Sequence, residues 1–176
     1  MRNTIALLVA ALLCLGVAGA EASGGDDVSF EEIFVGDFGH FYDGPTDLVI
    51  RNERQWCEFW EQAHGRRAEP PPCDLTLVDF RHEVVIASSI RGSNGCVGIG
   101  IANIEAGRGY RRGLGRRRGG LRVFVRDIVP GRNCLCTQSL VFPVRAVVVS
   151  KPVGRVSFIH ETAVLQCERI VIDLHR

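Results

Sequence analysis

The chain has 176 residues, 46% of them hydrophobic, and its 21 basic residues nearly balance its 20 acidic ones. The formal net charge of +1 argues against a general polyanion-binding protein, which would carry a large positive excess. The length suits one domain with a real hydrophobic core.

The first 20 residues have the pattern of a cleavable secretory signal peptide. Arg2 supplies a positive charge, and residues 5–17 form an apolar run that is too short for a membrane span. Ala18-Gly19-Ala20 is a small-x-small cleavage site. Cleavage would remove one basic residue and no acidic one, leaving a formally neutral chain. No second long apolar run follows, so we predict a secreted or periplasmic protein without a transmembrane span.

Residues 21–28 are small, polar and acidic, which predicts a flexible spacer ahead of a single domain over 29–176. Strands are expected over 30–38 and 48–50. The amphipathic helix is expected over about 53–64.

The helix prediction depends on an N-terminal cap and an apolar stripe. Asn52 and Gln55 have the spacing of a capping box. The stripe at i, i+3, i+4 and i+7 consists of Trp56, Phe59, Trp60 and Ala63. Two tryptophans on one stripe favour an anchor against a sheet over a ligand groove.

Residues 78–104 are expected to form two strands joined by a Gly-rich turn at 91–95. In the second strand Ile99, Ile101 and Asn103 alternate with small residues, so one face is nearly bare. A packed neighbouring strand is the favoured explanation, and a docked ligand or protein is the alternative.

Residues 107–120 are rich in Arg and Gly and contain no acidic residue. We expect an extended hairpin loop here. It could also dock on an acidic partner through Arg111, Arg112, Arg116, Arg117 and Arg118. Because the tract is short and the chain is neutral and exported, nucleic-acid binding is not expected.

Further strands are expected over 121–129, 134–140, 144–149, 156–165 and 169–174. Strands outnumber helices and do not alternate with them. The fold class is therefore mainly β (α+β): an antiparallel β-sheet or sandwich of about eight strands with one packed amphipathic helix.

Six cysteines remain after signal cleavage, and an even number in an exported chain indicates disulfide bonds. Cys134 and Cys136 flank one residue and would sooner find separate partners than bond to each other. The spacing does not fix the pairing, and no ligand pattern supports zinc. The six are Cys57, Cys73, Cys96, Cys134, Cys136 and Cys167.

The sequence contains no catalytic signature. No nucleophile elbow surrounds Ser88, Ser89 or Ser93, and no phosphate-binding or dinucleotide motif occurs. We therefore predict a protein that is not an enzyme, with no catalytic residue, no cofactor and no metal.

Several short motifs, in order, resemble the C-terminal domain of the PrcB proteins, which are named for a subunit that stabilises a secreted protease complex. The first are Val49-Ile50-Arg51-Asn52 with Trp56, then Val78-Asp79-Phe80 before a strand. Later ones are Pro130-Gly131-Arg132-Asn133-Cys134 and Thr137-Gln138-Ser139-Leu140. The resemblance spans roughly 49–149.

The resemblance implies a non-catalytic exported domain that binds and stabilises a protein partner, with a secreted protease as one candidate. Its contact loop would contain Ser93, Asn94, Gly95 and Val97, with the arginine loop beside it. The family usually has a Tyr in this loop, and Cys96 replaces it here. The resemblance therefore implies that Cys96 bonds to Cys134 or Cys136 as a clamp.

Two alternatives remain open. One is a thiol-redox protein or enzyme that uses Cys134 and Cys136, although a reactive thiol needs an electropositive, exposed setting. The other is a secreted domain attached to envelope polyanions through the Arg-Gly loop. The sequence does not indicate an oligomeric state.

Overall fold

The β-branched runs of the sequence form strands, and one amphipathic stripe forms the helix. The computed structural model describes residues 26–36, 46–64, 71–92, 94–107 and 120–167. The elements are β1 (Asp26–Asp27), β2 (Glu31–Gly36), β3 (Thr46–Ile50), α1 (Glu53–Ala63), a 3₁₀ turn (Leu75–Leu77), β4 (Glu83–Ser89), β5 (Gly98–Ala106), β6 (Leu121–Pro130), β7 (Val144–Ser150) and β8 (Val156–Leu165).

The described strands form two four-stranded sheets. The first sheet has the order β1-β5-β6-β8 and the second has the order β2-β7-β4-β3. All pairs are antiparallel except β6 and β8, which run parallel. The predicted strand-rich class with one helix is confirmed, and the single parallel pair is a feature that the prediction did not contain.

Strand β4 shows why the molecule has three layers. Val84 and Ile86 point to the first sheet, whereas Val85 and Ala87 point to the helix, and all four are at most 1% exposed. A strand buried on both faces has a continuous rather than alternating hydrophobic sequence. The second sheet therefore lies between α1 on one side and the first sheet on the other.

The helix begins and packs as its sequence predicts. The side chain of Asn52 accepts a hydrogen bond from the Gln55 backbone at 3.0 Å, while Gln55 accepts one from the Arg51 backbone at 2.8 Å. The return bond thus goes one residue before the cap. Trp56 is fully buried and donates its indole N–H to the Asp74 carbonyl, so it anchors the helix as expected.

Four local predictions differ from the structure. β1 and the Val28 N–H pair with β5, so the spacer expected over 21–28 is wrong at its end. β4 and β5 lie in different sheets, so the turn between them crosses the sandwich. A bulge after Ile101 shifts the alternation and places Ile104, rather than Asn103, in the core.

The fourth difference concerns residues 134–140, which are irregular and not a strand. Their neighbours β6 and β7 belong to different sheets, so this segment crosses between sheets instead of adding to either. The signal-peptide and 169–174 strand predictions lie outside the described residues. Within the described residues, no helix is long and apolar enough to cross a membrane.

Candidate functional site

Three segments meet at one end of the sandwich, and we call them together the disulfide platform. One connects β4 to β5, one follows β6, and one includes the end of β8. Because β8 runs parallel to β6, both strands end on this side. The three segments are residues 94–97, 131–140 and 164–167.

Two disulfide bonds hold the platform together. Cys96 bonds to Cys136, and Cys134 bonds to Cys167, with Cα–Cα distances of 5.4 and 5.1 Å. Cys136 is one of the two partners expected for Cys96. The middle segment is thus linked to both others through cysteines that flank the single residue Leu135.

The first segment is also fixed by its own hydrogen bonds. The Asn94 side chain accepts from the Cys96 N–H at 3.0 Å, and the Gly95 N–H donates to the Thr137 carbonyl at 3.0 Å. A Cβ on Gly95 would collide with the Thr137 hydroxyl. Only glycine therefore permits this close approach of the two segments.

The platform exposes apolar side chains. Leu135 is 97% exposed, Val164 is 54% exposed, and Leu140 and Leu165 are also exposed. The structure has six exposed large hydrophobic residues in its described part, and these are four of them. Arg132 is the only charged residue in the three segments. A covalently fixed, apolar and nearly uncharged surface is the composition of an interface centre.

The predicted contact residues divide into two groups. Asn94 and Gly95 lie on the platform, whereas Val97 packs partly against the core between the sheets. The prediction for Ser93 and for the five arginines lies outside the described residues. The flanks of the arginine loop pair as a hairpin, since the Gly107 N–H donates to the Gly120 carbonyl at 2.8 Å.

The remaining cysteines form a third bond, from Cys57 on α1 to Cys73 on the segment after it, with a Cα–Cα distance of 5.3 Å. Cys134 and Cys136 therefore have separate partners and are not a dithiol pair with each other. This arrangement removes the premise of the thiol-redox alternative.

A polar cluster lies between the sheets, next to the platform. The Ser88 hydroxyl donates to the Asp47 carboxylate at 2.6 Å. His160 has its Nε2 atom 3.2 Å from Asp47 and its Nδ1 atom 3.0 Å from Asp127. We call these four residues the inter-sheet clip, because Asp47 and Ser88 belong to the second sheet and the other two to the first.

The inter-sheet clip has the residue types of a serine hydrolase but not the arrangement. A nucleophilic serine needs its hydroxyl against the imidazole that takes its proton. Here Ser88 donates to Asp47 instead, and it is only 1% exposed. The described residues also hold no cluster of three or more His, Cys, Asp or Glu side chains suited to a metal ion.

The sequence contained a pattern that could have indicated the clip. Val123, Val125 and Asp127 alternate along β6, and Phe158 and His160 continue the alternation of β8. The inward faces of both strands thus end in a polar residue. The pattern does not tell which carboxylate from the other sheet would face the imidazole.

Compared with protein-family models, with curated proteins and with solved structures, the chain matches none of them. The resemblance to the PrcB C-terminal domain is therefore carried by the sequence motifs alone and stays a prediction.

Proposed function

We propose that this chain is an exported, non-catalytic binding domain that docks on a protein partner through the disulfide platform. The carrying observation is that Leu135 is 97% exposed between two cysteines that bond to different segments. A leucine displayed on a covalently fixed loop loses little freedom on binding. It therefore contributes most of its burial energy to the complex.

The chemistry of the platform supports a protein partner over a polyanion. Interface centres are depleted of charged residues, and Arg132 is the sole charge among the platform segments. Clustered exposed apolar side chains on a small domain mark interaction sites. The resemblance implies a secreted protease as the partner class, bound so that its folded state is stabilised by mass action.

Export is supported by the three disulfide bonds, because such bonds form and persist in oxidising compartments. The choice between periplasm and medium is part of the test. Both compartments are therefore sampled in the experiment.

The test is site-specific photocrosslinking of the mature, oxidised protein in culture supernatant and envelope extract. A photoreactive amino acid replaces Leu135 in one variant and Leu75, the control, in another. Leu75 is 47% exposed in the 3₁₀ turn after the helix, away from the platform segments. The expected result is one specific protein adduct from position 135, which mass spectrometry identifies, and none from position 75.

A second arm tests the chemistry of binding with the identified partner. Leu135→Asp should weaken the affinity at least about tenfold, because burying a leucine is worth roughly 1.5–3 kcal/mol and 1.4 kcal/mol is tenfold. Leu75→Asp should leave it unchanged. Binding that persists in Leu135→Asp but disappears at about 0.5 M salt would instead support charge-driven attachment through the arginine loop.

A further inference from the structure

The imidazole of His160 lies between two carboxylates that belong to different sheets. Its Nδ1 atom is 3.0 Å from Asp127 on the neighbouring strand, and its Nε2 atom is 3.2 Å from Asp47 across the sandwich. A neutral imidazole has one N–H donor and one acceptor lone pair, whereas the imidazolium has two donors. Carboxylate oxygens only accept, so both hydrogen bonds exist together only when His160 is protonated.

The surroundings of the ring favour the protonated form. Burial acts to lower the pKa of His160, but the hydrogen bonds and charges of Asp127 and Asp47 outweigh it, and the pKa is raised. Ser88 on β4 adds a hydroxyl that donates to Asp47. The nearest cation in the same row is Arg145 on β7, which pairs with Ser88 in register.

Arg145 belongs to a different set of contacts. Its guanidinium donates to the Val144 carbonyl at 2.8 Å and to the Gly36 carbonyl at 3.4 Å, and it lies 3.7 Å from Glu32. Among the described residues, the charged groups acting on the imidazole are thus the two carboxylates. Protonation converts two repelling anions and a neutral ring into one hydrogen-bonded unit.

The strands that carry the clip are those that lead into the platform. Ser88 on β4 precedes segment 94–97 by six residues, counted along the sequence. Asp127 on β6 and His160 on β8 precede their segments by four residues each. Cross-linked segments move little relative to one another, so a change at the clip alters how the platform sits on both sheets.

We propose that the inter-sheet clip is a proton-dependent latch that fixes the two sheets at the platform end and makes partner binding weaken as the pH rises. The link to binding rests on the proposed function, whereas the latch itself does not. Because the folded-state pKa of His160 is raised, the latch is complete below the unfolded pKa. It is lost as the pH rises through the folded one.

The latch is tested without a partner, by NMR titration of the oxidised, ¹⁵N-labelled protein from pH 6 to 9. In the wild type we expect the His160 ring to titrate and the backbone amides of 94–97 and 131–140 to shift with the same midpoint. In His160→Gln these amide shifts should disappear. His82→Gln is the matched control, because His82 is 79% exposed and pairs only locally with Asp79 at 2.8 Å.

Two results would overturn the latch: platform amides that stay still in the wild type, or that still move in His160→Gln. Asp127→Asn is the second variant should His160→Gln not fold. It removes one anion from the ring and should lower the midpoint of His160. An unchanged midpoint would show that Asp127 does not hold the proton.

The final arm measures partner affinity at pH 6 and pH 9. The wild type should bind more weakly at pH 9, and His160→Gln should lose this difference. Equal affinities in the wild type would overturn the regulatory part, even if the amide shifts appear. Failure of Leu135→Asp to weaken binding would instead reject the proposed function and leave the NMR result intact.

Discussion

The helix layer and the disulfide platform lie in different parts of one small domain, and each contains disulfide bonds. The helix layer is α1 with residues 71–78. It buries Trp56 completely and leaves Phe59 only 2% exposed, whereas the platform leaves Leu135 97% exposed. One region is stabilised by burial and carries a cross-link as well. The other has no regular structure over residues 131–140 and depends on its cross-links.

This difference explains how a loop can display apolar side chains without collapsing. Irregular backbone has few repeating hydrogen bonds and a high conformational entropy, so it needs another constraint to keep one shape. Disulfide bonds supply it by restricting the unfolded chain, and they need no buried apolar surface. The platform can therefore spend its leucines on a partner, whereas the helix layer uses its tryptophans for the fold.

The comparison is broken most directly at Trp56. Trp56→Ala removes the largest fully buried side chain and the hydrogen bond to the Asp74 carbonyl. We expect a loss of about 3–5 kcal/mol in the free energy of unfolding, measured by urea denaturation of the oxidised protein. Leu75→Ala, on the exposed side of the same layer, should cost less than about 0.5 kcal/mol. A small effect of Trp56→Ala would mean that burial does not hold this layer.

The next largest effect is expected at the platform bond between Cys96 and Cys136, which closes 40 residues of sequence separation. The double variant Cys96→Ser with Cys136→Ser should lose about 2–4 kcal/mol of stability, measured in the same way. It should also weaken partner binding, because the loop around Leu135 is no longer fixed.

The matched control removes the other kind of cross-link, through Cys57→Ser with Cys73→Ser. This bond spans 16 residues and lies in the helix layer. Its loss should lower stability by roughly 2–3 kcal/mol without changing the affinity of the folded protein. Equal losses of affinity in the two double variants would contradict the assignment of display to the platform alone.

The helix layer could be predicted from the sequence because its determinants are local. Asn52, Gln55 and the stripe that begins at Trp56 lie within one helix, and a 3.6-residue period fixes the buried face. The strands could be predicted for a similar reason, since β-branched runs are also local. The parallel pairing of β6 with β8 could not, because it depends on how distant segments of the chain meet.

The site depended on contacts between distant residues, so less of it could be predicted. Residues 134–140 had the composition of a strand, and only the placement of β6 and β7 in different sheets makes them a crossing. The clip joins His160 to Asp47, 113 residues earlier. No local pattern in the sequence distinguishes Asp47 from other exposed aspartates near the start of a strand.

The smallest expected effect is on stability, and it separates display from packing. Leu135→Ala removes an apolar side chain that is almost wholly in solvent, so the free energy of unfolding should change by less than about 0.5 kcal/mol. Because the side chain has nothing to lose in the free protein, any weakening of partner binding must arise in the complex. Urea denaturation and affinity measured on one preparation test both statements. A stability loss above about 1 kcal/mol would mean that Leu135 packs against its own domain, and the platform would then be a structural lid instead of a binding surface.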